Sequence, residues 1–262
     1  MPKYGNITNP AVEISEEIKS VLDHGFDFAE IGIEWPEGSP EKIIKKKKTI
    51  LDLIGQFDSP PIGHTAWWMD FSSLYEVEWM AWITEAKKCI DVASDLNIKL
   101  LNFHSHSIYM KPKYGTYRIL ALNNFVKSLK EIIKYAEDAG VQVMIENTSG
   151  QEEISSLKDY SYVINKLPHA KVHLDVGHAF TQGGMKALGN FIRTFDKRIT
   201  HSHFSDNHGH FDEHLPVGKG EIDFKSLVGM LKKIKYNRTI TFEVFTSRKD
   251  AAASMKKIKE LW

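Results

Sequence analysis

The stretch ITHSHFSDNHGHFDEHLPVGKG, residues 199–220, is the part of the sequence around which the rest of the chain is organised. Its first six residues alternate in the way a strand does, which predicts that His201 and His203 point to one face. After a loop, Asp212 and His214 stand two positions apart, and an extended backbone places both on one side. Imidazole and carboxylate groups are ligands that suit zinc, manganese or iron, so the stretch predicts a metal site.

Length, composition and charge limit the classes of protein that the chain can belong to. Its 262 residues are 42% hydrophobic and 26% charged, which fits one α/β barrel or two small domains. The formal net charge is zero, so the chain lacks the overall basic field that holds a nucleic acid through counterion release. This balance weighs against a general DNA-binding protein.

Cysteine usage and apolar runs indicate the compartment. The single cysteine, Cys89, excludes an internal disulfide and fits a reducing environment. The first ten residues, MPKYGNITNP, lack the apolar core of a signal peptide, and no run approaches the roughly 18 apolar residues of a membrane span. We therefore expect a cytoplasmic protein without membrane association, and no protein partner is evident.

Strand-like runs alternate with amphipathic helices along the whole chain. The predicted strands are 3–7, 28–34, 61–65, 99–104, 142–146, 171–175, 199–204 and 239–243. The predicted helices are 11–24, 40–57, 76–96, 117–139, 157–167, 185–195, 224–235 and 248–261. Such alternation indicates parallel strands with helical crossovers, and eight pairs is the number in a (β/α)₈ TIM barrel. We predict one α/β domain of this kind over residues 1–262, with an open doubly wound sheet as the alternative.

The polar residues at the strand ends favour the closed barrel. The third to eighth strands each carry an apolar stretch and finish, in order, with His64, His104, Glu146, Asp175, His203 and Glu243. In a barrel these ends meet at one mouth, where the active sites of this fold are found. Along the edge of an open sheet they would be too far apart to share an ion. One convergent site is the simpler interpretation.

The candidate ligands outnumber those that one ion uses. With His178, Asp212 and His214 the set has nine members, whereas tetrahedral zinc takes four. Nine ligands predict two or three ions, which suits metal-assisted hydrolysis of a phosphoester. A single ion would instead suit isomerisation or epimerisation of a sugar, with Glu146 and Glu243 as acid and base. That ion would be bound by Glu146, Asp175, His203 and Glu243.

Over residues 61–245 the sequence resembles the xylose isomerase-like TIM barrels, which include endonuclease IV and the sugar-phosphate isomerases and epimerases. The similar phrases are LNFH at 101–104, ENTSGQ at 146–151, Asp175-x-x-His178-Ala179-Phe180, His203-x-x-Asp206, Asp212-x-His214 and Glu243. The endonuclease IV pattern implies three zinc ions that cut DNA 5′ to an abasic site. By that resemblance the ligand sets are His64, His104 and Glu146; Glu146, Asp175, His203 and Glu243; and His178, Asp212 and His214.

Other segments are similar to the epimerase and isomerase branch of the same superfamily. EIGIEWPEG around the second strand resembles the epimerases, and His201-x-His203 with HLPVGKGEIDF, where Lys219 replaces an acid usual in endonuclease IV, resembles the sugar isomerases. YGNIT in the first strand does not resemble the histidine-containing opening of endonuclease IV. The expected partner is therefore abasic-site DNA or, in the alternative, a small sugar or sugar phosphate with one Mn²⁺, Mg²⁺ or Co²⁺. A non-catalytic metal-binding barrel is the remaining alternative.

Three further residues are candidate substrate contacts. Trp67, three residues after His64, is placed to stack on a base or a sugar ring, with packing under the barrel rim as the alternative. Glu34, at the end of the second strand, is a candidate for hydrogen-bonding a sugar hydroxyl, and Lys219 for contacting a phosphate. The other histidines considered, expected to lie behind the ligands or at the surface, are His106, His173, His201, His208 and His210.

Overall fold

The fold was analysed in a computed structural model, and the structure describes residues 1–110, 115–150 and 153–262. Eight parallel strands form a closed barrel in chain order, in which the first strand pairs with the second and with the eighth. The strands are β1 (Lys3–Ile7), β2 (Phe28–Ile33), β3 (Ile62–Thr65), β4 (Leu100–His104), β5 (Gln142–Glu146), β6 (Lys171–Asp175), β7 (Ile199–Phe204) and β8 (Thr239–Phe242). The predicted (β/α)₈ TIM barrel is confirmed.

Helices connect successive strands and pack on the barrel through apolar faces. Within the described residues they are α1 (Ile14–Asp23), α2 (Pro40–Lys45), α3 (Lys47–Ile54), α4 (Glu76–Asp95), α5 (Tyr117–Asp138), α6 (Leu157–Lys166), α7 (Val176–Thr181), α8 (Gly184–Phe195), α9 (Phe224–Lys233) and α10 (Arg248–Leu261). In α1 the buried residues Ile14, Ile18 and Val21 recur at helical spacing. Among these helices none combines the length and hydropathy that crossing a bilayer requires.

Two helical segments differ from the prediction. The helix expected over 40–57 is divided into α2 and α3 at Lys46, whose backbone N–H donates to the carbonyl of Ile43 and so ends α2. One helix was expected between β6 and β7, but α7 precedes α8 and starts directly after β6. Asp175 accounts for this early start, because its side chain accepts a hydrogen bond from the backbone N–H of His178 and caps α7.

The interior of the barrel changes from apolar to polar along the strands. Near the amino ends, a separate cluster of Phe28, Ile62, Leu100 and Met144 fills the lumen. Side chains two positions further along a strand face the same interior. In this barrel the residues at those positions are Glu30, His64, Asn102 and Glu146, all of them buried. The apolar layer therefore closes the bottom of the barrel, and a polar layer and the mouth lie above it.

Candidate metal centre

The barrel brings the nine predicted ligands together in three groups at the carboxyl ends of the strands. Within each group the candidate ligand atoms lie within 4.8 Å of one another. The first group is His64, His104 and Glu146; the central group is Glu146, Asp175, His203 and Glu243; and the third group is His178, Asp212 and His214. Glu146 belongs to two groups and so joins the first to the central one. These sets coincide with those implied by the resemblance, while their role as ligands stays a prediction.

The first group is formed by the ends of β3, β4 and β5. Nε2 of His64 lies 3.6 Å and Nε2 of His104 lies 3.2 Å from Oε2 of Glu146. Neither ring nitrogen of His64 makes a hydrogen bond with the described part of the chain, although the ring is buried. Burial lowers the pKa of His104 to about 4, so this imidazole is neutral, as metal binding requires.

The central group surrounds His203, which lies at the end of β7. Its Nδ1 is 2.9 Å from Oε2 of Glu243, 3.8 Å from Oε1 of Glu146 and 3.9 Å from Oδ2 of Asp175. A nitrogen facing three carboxylates requires a positive charge between them, either a proton or a metal ion. Burial lowers the pKa of His203, but Glu30, Glu243 and Glu146 outweigh burial and hold the pKa well above its usual value.

Two carboxylates of the central group differ in their protonation. One oxygen of Asp175 caps α7, while Oδ2 has no hydrogen-bond partner among the described residues. Burial raises the pKa of Asp175 to about 7. Burial also acts to raise the pKa of Glu243, but the charges of His203 and His214 outweigh it and lower the pKa. The buried oxygen of Asp175 is thus available to a cation that replaces the proton.

The third group has its imidazoles oriented from behind by the backbone. Nδ1 of His178 lies 2.7 Å from the carbonyl oxygen of Asn147, and Nδ1 of His214 lies 3.2 Å from that of Glu243. Each Nδ1–H can donate to its carbonyl, and both Nε2 atoms then face Oδ2 of Asp212, at 2.9 and 2.6 Å, through protons that a metal ion would replace. Burial lowers the pKa of His214, but Glu243 and Asp212 outweigh it and raise the pKa to about 9.

The loop that carries Asp212 and His214 is anchored on a buried carboxylate. Oδ2 of Asp206 accepts hydrogen bonds from the backbone N–H groups of Gly218, Lys219 and Gly220, and Oδ1 accepts from Asn207 and Ile222. Gly220 packs so closely that a Cβ would lie 2.5 Å from Oδ1 of Asp206. In the sequence Asp206 stands out only as part of a family phrase; the structure shows that it holds the loop in place.

A cavity of about 830 Å³ opens above the three groups. This volume suits a small ligand or one segment of a larger one. Glu34 lines the cavity with its buried Oε2 unpaired among the described residues, and burial raises its pKa. Trp67 also lines it, is 56% exposed, and contacts Trp68 and His106 edge to face. Lys219 is exposed and is absent from the lining; only its backbone N–H contacts the site, through Asp206.

The remaining histidines occupy two kinds of environment. His106 lies 3.4 Å from Glu153, and His208 lies 3.0 Å from Glu213 at the surface, where His210 is also exposed. His173 and His201 are instead fully buried in the lumen below the central group. Gln151, the last residue of the phrase ENTSGQ, lies outside the described residues.

Glu30 is a buried acid of the site that the sequence reasoning missed. It stands in the middle of β2, is fully buried, and lies 3.0 Å from Nε2 of both His201 and His203. Burial raises its pKa, but the two histidines outweigh burial and hold the pKa well below its usual value. One acid within the apolar run FAEIGI was the available signal, because an unpaired carboxylate is costly to bury.

A (β/α)₈ barrel with buried histidine and carboxylate groups at its mouth defines the class of protein. The family described as xylose isomerase-like TIM barrel matches residues 18–261. The chain therefore belongs to the xylose isomerase-like TIM barrel family, and the resemblance seen in the sequence is confirmed.

Individual relatives show how the family branches. An uncharacterised protein of Methanocaldococcus jannaschii is 35% identical over 154 residues, a match spanning 59% of this chain and 58% of that relative. A probable endonuclease 4 of Aquifex aeolicus is 24% identical over 95% of this chain and 93% of its own length. An L-ribulose 3-epimerase of Methylomonas is 28% identical over 47% of this chain and 42% of its own length. The relatives with named activities are enzymes, so the chain is a member of an enzyme family.

A solved structure confirms the architecture. A D-tagatose 3-epimerase-like protein superimposes with a TM-score of 0.88 at 24% identity, over 99% of this chain and 96% of that one. At this level of identity the similarity establishes the fold.

Proposed function

We propose that the protein is a metal-dependent phosphodiester hydrolase of the endonuclease IV type that uses two or three zinc ions. The observation that supports this proposal best is the presence of the first and third groups on either side of the central group. A sugar isomerase with one ion needs only the central group. Such a site would not explain why four further histidines lie beside that group, namely His64, His104, His178 and His214.

The donor set fits divalent metal ions. Nε2 of His178 and Nε2 of His214 both face Oδ2 of Asp212, and Nδ1 of His203 faces the carboxylates of the central group. Neutral imidazole and carboxylate form the ligand set that zinc prefers. When bound, two or three such ions activate water and neutralise the oxygens of a phosphoryl group.

The chain's own side chains have separate roles in this proposal. Glu146 would contribute a ligand atom to each of two ions, since its oxygens face both the first and the central group. Glu34, which lines the cavity with an unpaired Oε2 among the described residues, would hydrogen-bond a substrate hydroxyl, and Trp67 would stack on a base or a sugar ring. Lys219 is exposed, so a contact with phosphate would have to be made outside the cavity.

Abasic-site DNA is the substrate that this proposal names. The support comes from the probable endonuclease 4, which aligns over nearly the whole chain. With a net charge of zero, recognition of DNA would depend on the metal ions and on stacking more than on a basic surface. A cytoplasmic location and the lack of a protein partner stay predictions.

The test is incision of a duplex that contains a single abasic site. Zinc-loaded protein, with two to three zinc ions per chain by elemental analysis, is expected to cut 5′ to the site and to leave an intact duplex uncut. Glu146→Gln is expected to lower the rate by at least about 10²-fold, because it disturbs two groups at once. If fully metallated protein leaves the abasic duplex intact, the proposal is wrong.

A divalent-metal sugar or sugar-phosphate epimerase is the second candidate. It is favoured by the central group, in which Glu146 at the end of β5 and Glu243 just after β8 flank His203, and by the L-ribulose 3-epimerase relative. One exchangeable Mn²⁺, Mg²⁺ or Co²⁺ per chain would support it. His64→Gln separates the candidates, because this variant should lose hydrolysis but would keep epimerisation.

A further inference from the structure

A chain of hydrogen bonds crosses the lumen beneath the central group. It starts at Thr239 of β8, whose Oγ1 lies 2.8 Å from Nδ1 of His201. Nε2 of His201 lies 3.0 Å from Oε2 of Glu30 on β2. The two oxygens of Glu30 lie 3.0 and 3.1 Å from Nε2 of His203. His203 then presents its other nitrogen to the central group.

The donors and acceptors of this chain agree with only one arrangement of protons. A carboxylate accepts hydrogen bonds, so Nε2 of both His201 and His203 must carry the hydrogen that Glu30 accepts. Nδ1 of His201 is then an acceptor, and the hydroxyl of Thr239 donates to it. Nδ1 of His203 is then the nitrogen that faces Glu243; in metal-free protein it carries a proton, which a cation of the central group would replace.

We propose that Glu30 is a positioning residue that fixes the tautomer and the ring orientation of His203 and thereby presents Nδ1 to the cation of the central group. A carboxylate behind a ligating imidazole raises the basicity of the ligand and holds its ring in place. His201 and Thr239 keep Glu30 from turning away. The inference rests on metal binding by the central group, which both candidate functions share, and not on the reaction that follows.

The first test compares the metal affinity of Glu30→Gln with that of the unchanged protein. The glutamine keeps the size of the side chain but loses its charge and one of its two acceptor oxygens. Loss of such a partner typically weakens metal binding by about 10- to 100-fold. Zinc is withdrawn stepwise by a competing chelator, and Asp175→Asn shows which step belongs to the central ion. Binding equal to that of the unchanged protein would overturn the proposal.

Glu34→Gln is the matched control. Glu34 stands four positions after Glu30, near the same mouth, and its substitution likewise replaces a carboxyl group by an amide of the same size. No hydrogen bond links it to His203 among the described residues, so we expect a smaller loss of affinity at the central step. Equal losses in both variants would mean that replacing any carboxyl group near the mouth weakens the binding, and the positioning role would be wrong.

A second test measures the tautomer of His203 in the unchanged protein, and variants serve only for assignment and comparison. Long-range ¹H–¹⁵N NMR correlations distinguish imidazole tautomers, and the His203 signals can be assigned by their absence in His203→Gln. We expect zinc-loaded protein to show His203 protonated at Nε2, and Glu30→Gln to show a mixture. Protonation at Nδ1 in the loaded protein would overturn the proposal. An absence of DNA incision together with the expected NMR result would contradict only the proposed hydrolase.

Discussion

Imidazole orientation is the feature that makes individual residues of this site suited to metal ions. His178 and His214 are oriented by backbone carbonyls, which leaves Nε2 of each free, whereas His203 is oriented by Glu30, which leaves Nδ1 free. In metal-free protein, protons on these free nitrogens offset the charge of the facing carboxylates. Metal ions would therefore compete with protons for the same positions, and the protons by themselves lead to a prediction about pH.

Metal-free protein should lose stability as the pH rises from about 6.5 to 9. The pKa of His214 is raised from 6.5 to about 9 in the folded protein. A raised imidazole pKa stabilises the fold while the group is protonated; this contribution is complete below the unfolded pKa and is lost as the pH passes the folded one. The loss is on the order of 3 kcal/mol. Urea unfolding at a series of pH values, in the presence of a chelator, measures it.

His214→Gln is the control for this pH dependence. Glutamine does not titrate, so the variant should show a flatter pH profile between 6.5 and 9 than the unchanged protein. His178 and His203, whose pKa values are also raised, should leave part of the slope in place. A stability that rises over this pH range in the absence of metal would contradict the assigned direction of the His214 shift.

The sequence predicted the polar residues at the strand ends but not the residues that orient them. His64, His104 and Glu146 could be predicted as site residues because each follows an apolar run, where a buried polar side chain is costly unless it has a partner. Glu30 was missed because it lies inside β2, with apolar residues on both sides. Whether an inward polar residue in mid-strand has a partner depends on the opposite strand, here β7, which is distant in sequence.

Among the connecting segments, the loop between β7 and α9 depends most on a single side chain. Asp206 is fully buried and accepts hydrogen bonds from five backbone N–H groups of that loop. The loop also carries Asp212 and His214, so its conformation sets the third group. Strands and helices need no such anchor, because their backbone groups hydrogen-bond within the element or with its neighbours.

Asp206→Ala should destabilise the fold and disrupt the third group together. Five backbone N–H groups, two of them in fully buried hydrogen bonds, would lose a charged acceptor, at a cost of about 4 kcal/mol. Urea unfolding measures the loss, and elemental analysis should find one zinc ion fewer per chain. Asp223→Ala is a matched control, since it removes the exposed cap of α9 just beyond the loop and should cost only about 1 kcal/mol. Equal effects of the two changes would show that Asp206 is not the anchor.

The elements were predictable to the extent that their signals are local. β1, β5, β6 and β7 have the bounds expected from the alternation and apolar runs of their sequences. The six-residue helix α7 was missed because Asp175 was interpreted chiefly as a ligand, whereas one of its oxygens caps this helix and the other has no hydrogen-bond partner among the described residues. The break at Lys46 has no turn residue to mark it, as it lies within a run of lysines.

At the scale of the whole molecule, closure of the barrel is what makes the groups possible. β3, β5 and β7 are far apart in sequence, yet their ends bring His64, Glu146 and His203 into one region. The eightfold alternation together with the polar residues at the strand ends predicted this closure, because only a closed barrel brings those ends to one mouth. The distances and tautomers could not be predicted, since they depend on the register between strands and on packing in the lumen.

Metal removal should therefore affect the stability of the entire barrel and not only its mouth. The groups contain five buried carboxylate and imidazole side chains from different strands, namely His64, His104, Glu146, Asp175 and His203. An ion that binds only the folded state adds about 4 kcal/mol when its free concentration is 1,000 times Kd. For a chain of this length that corresponds to a rise in Tm of about 10 °C per ion.

Calorimetry with stepwise addition of zinc to metal-free protein tests this prediction at a constant pH. Each group that binds an ion should add its own increment, so a site with two or three ions should raise Tm in two or three stages. His64→Gln should remove the increment of the first group and leave that of the third, because His178, Asp212 and His214 share no ligand with it. A single stage in the unchanged protein would fit one ion and favour the epimerase. A Tm that does not respond to Zn²⁺, Mn²⁺, Mg²⁺ or Co²⁺ would contradict metal binding at the mouth of the barrel.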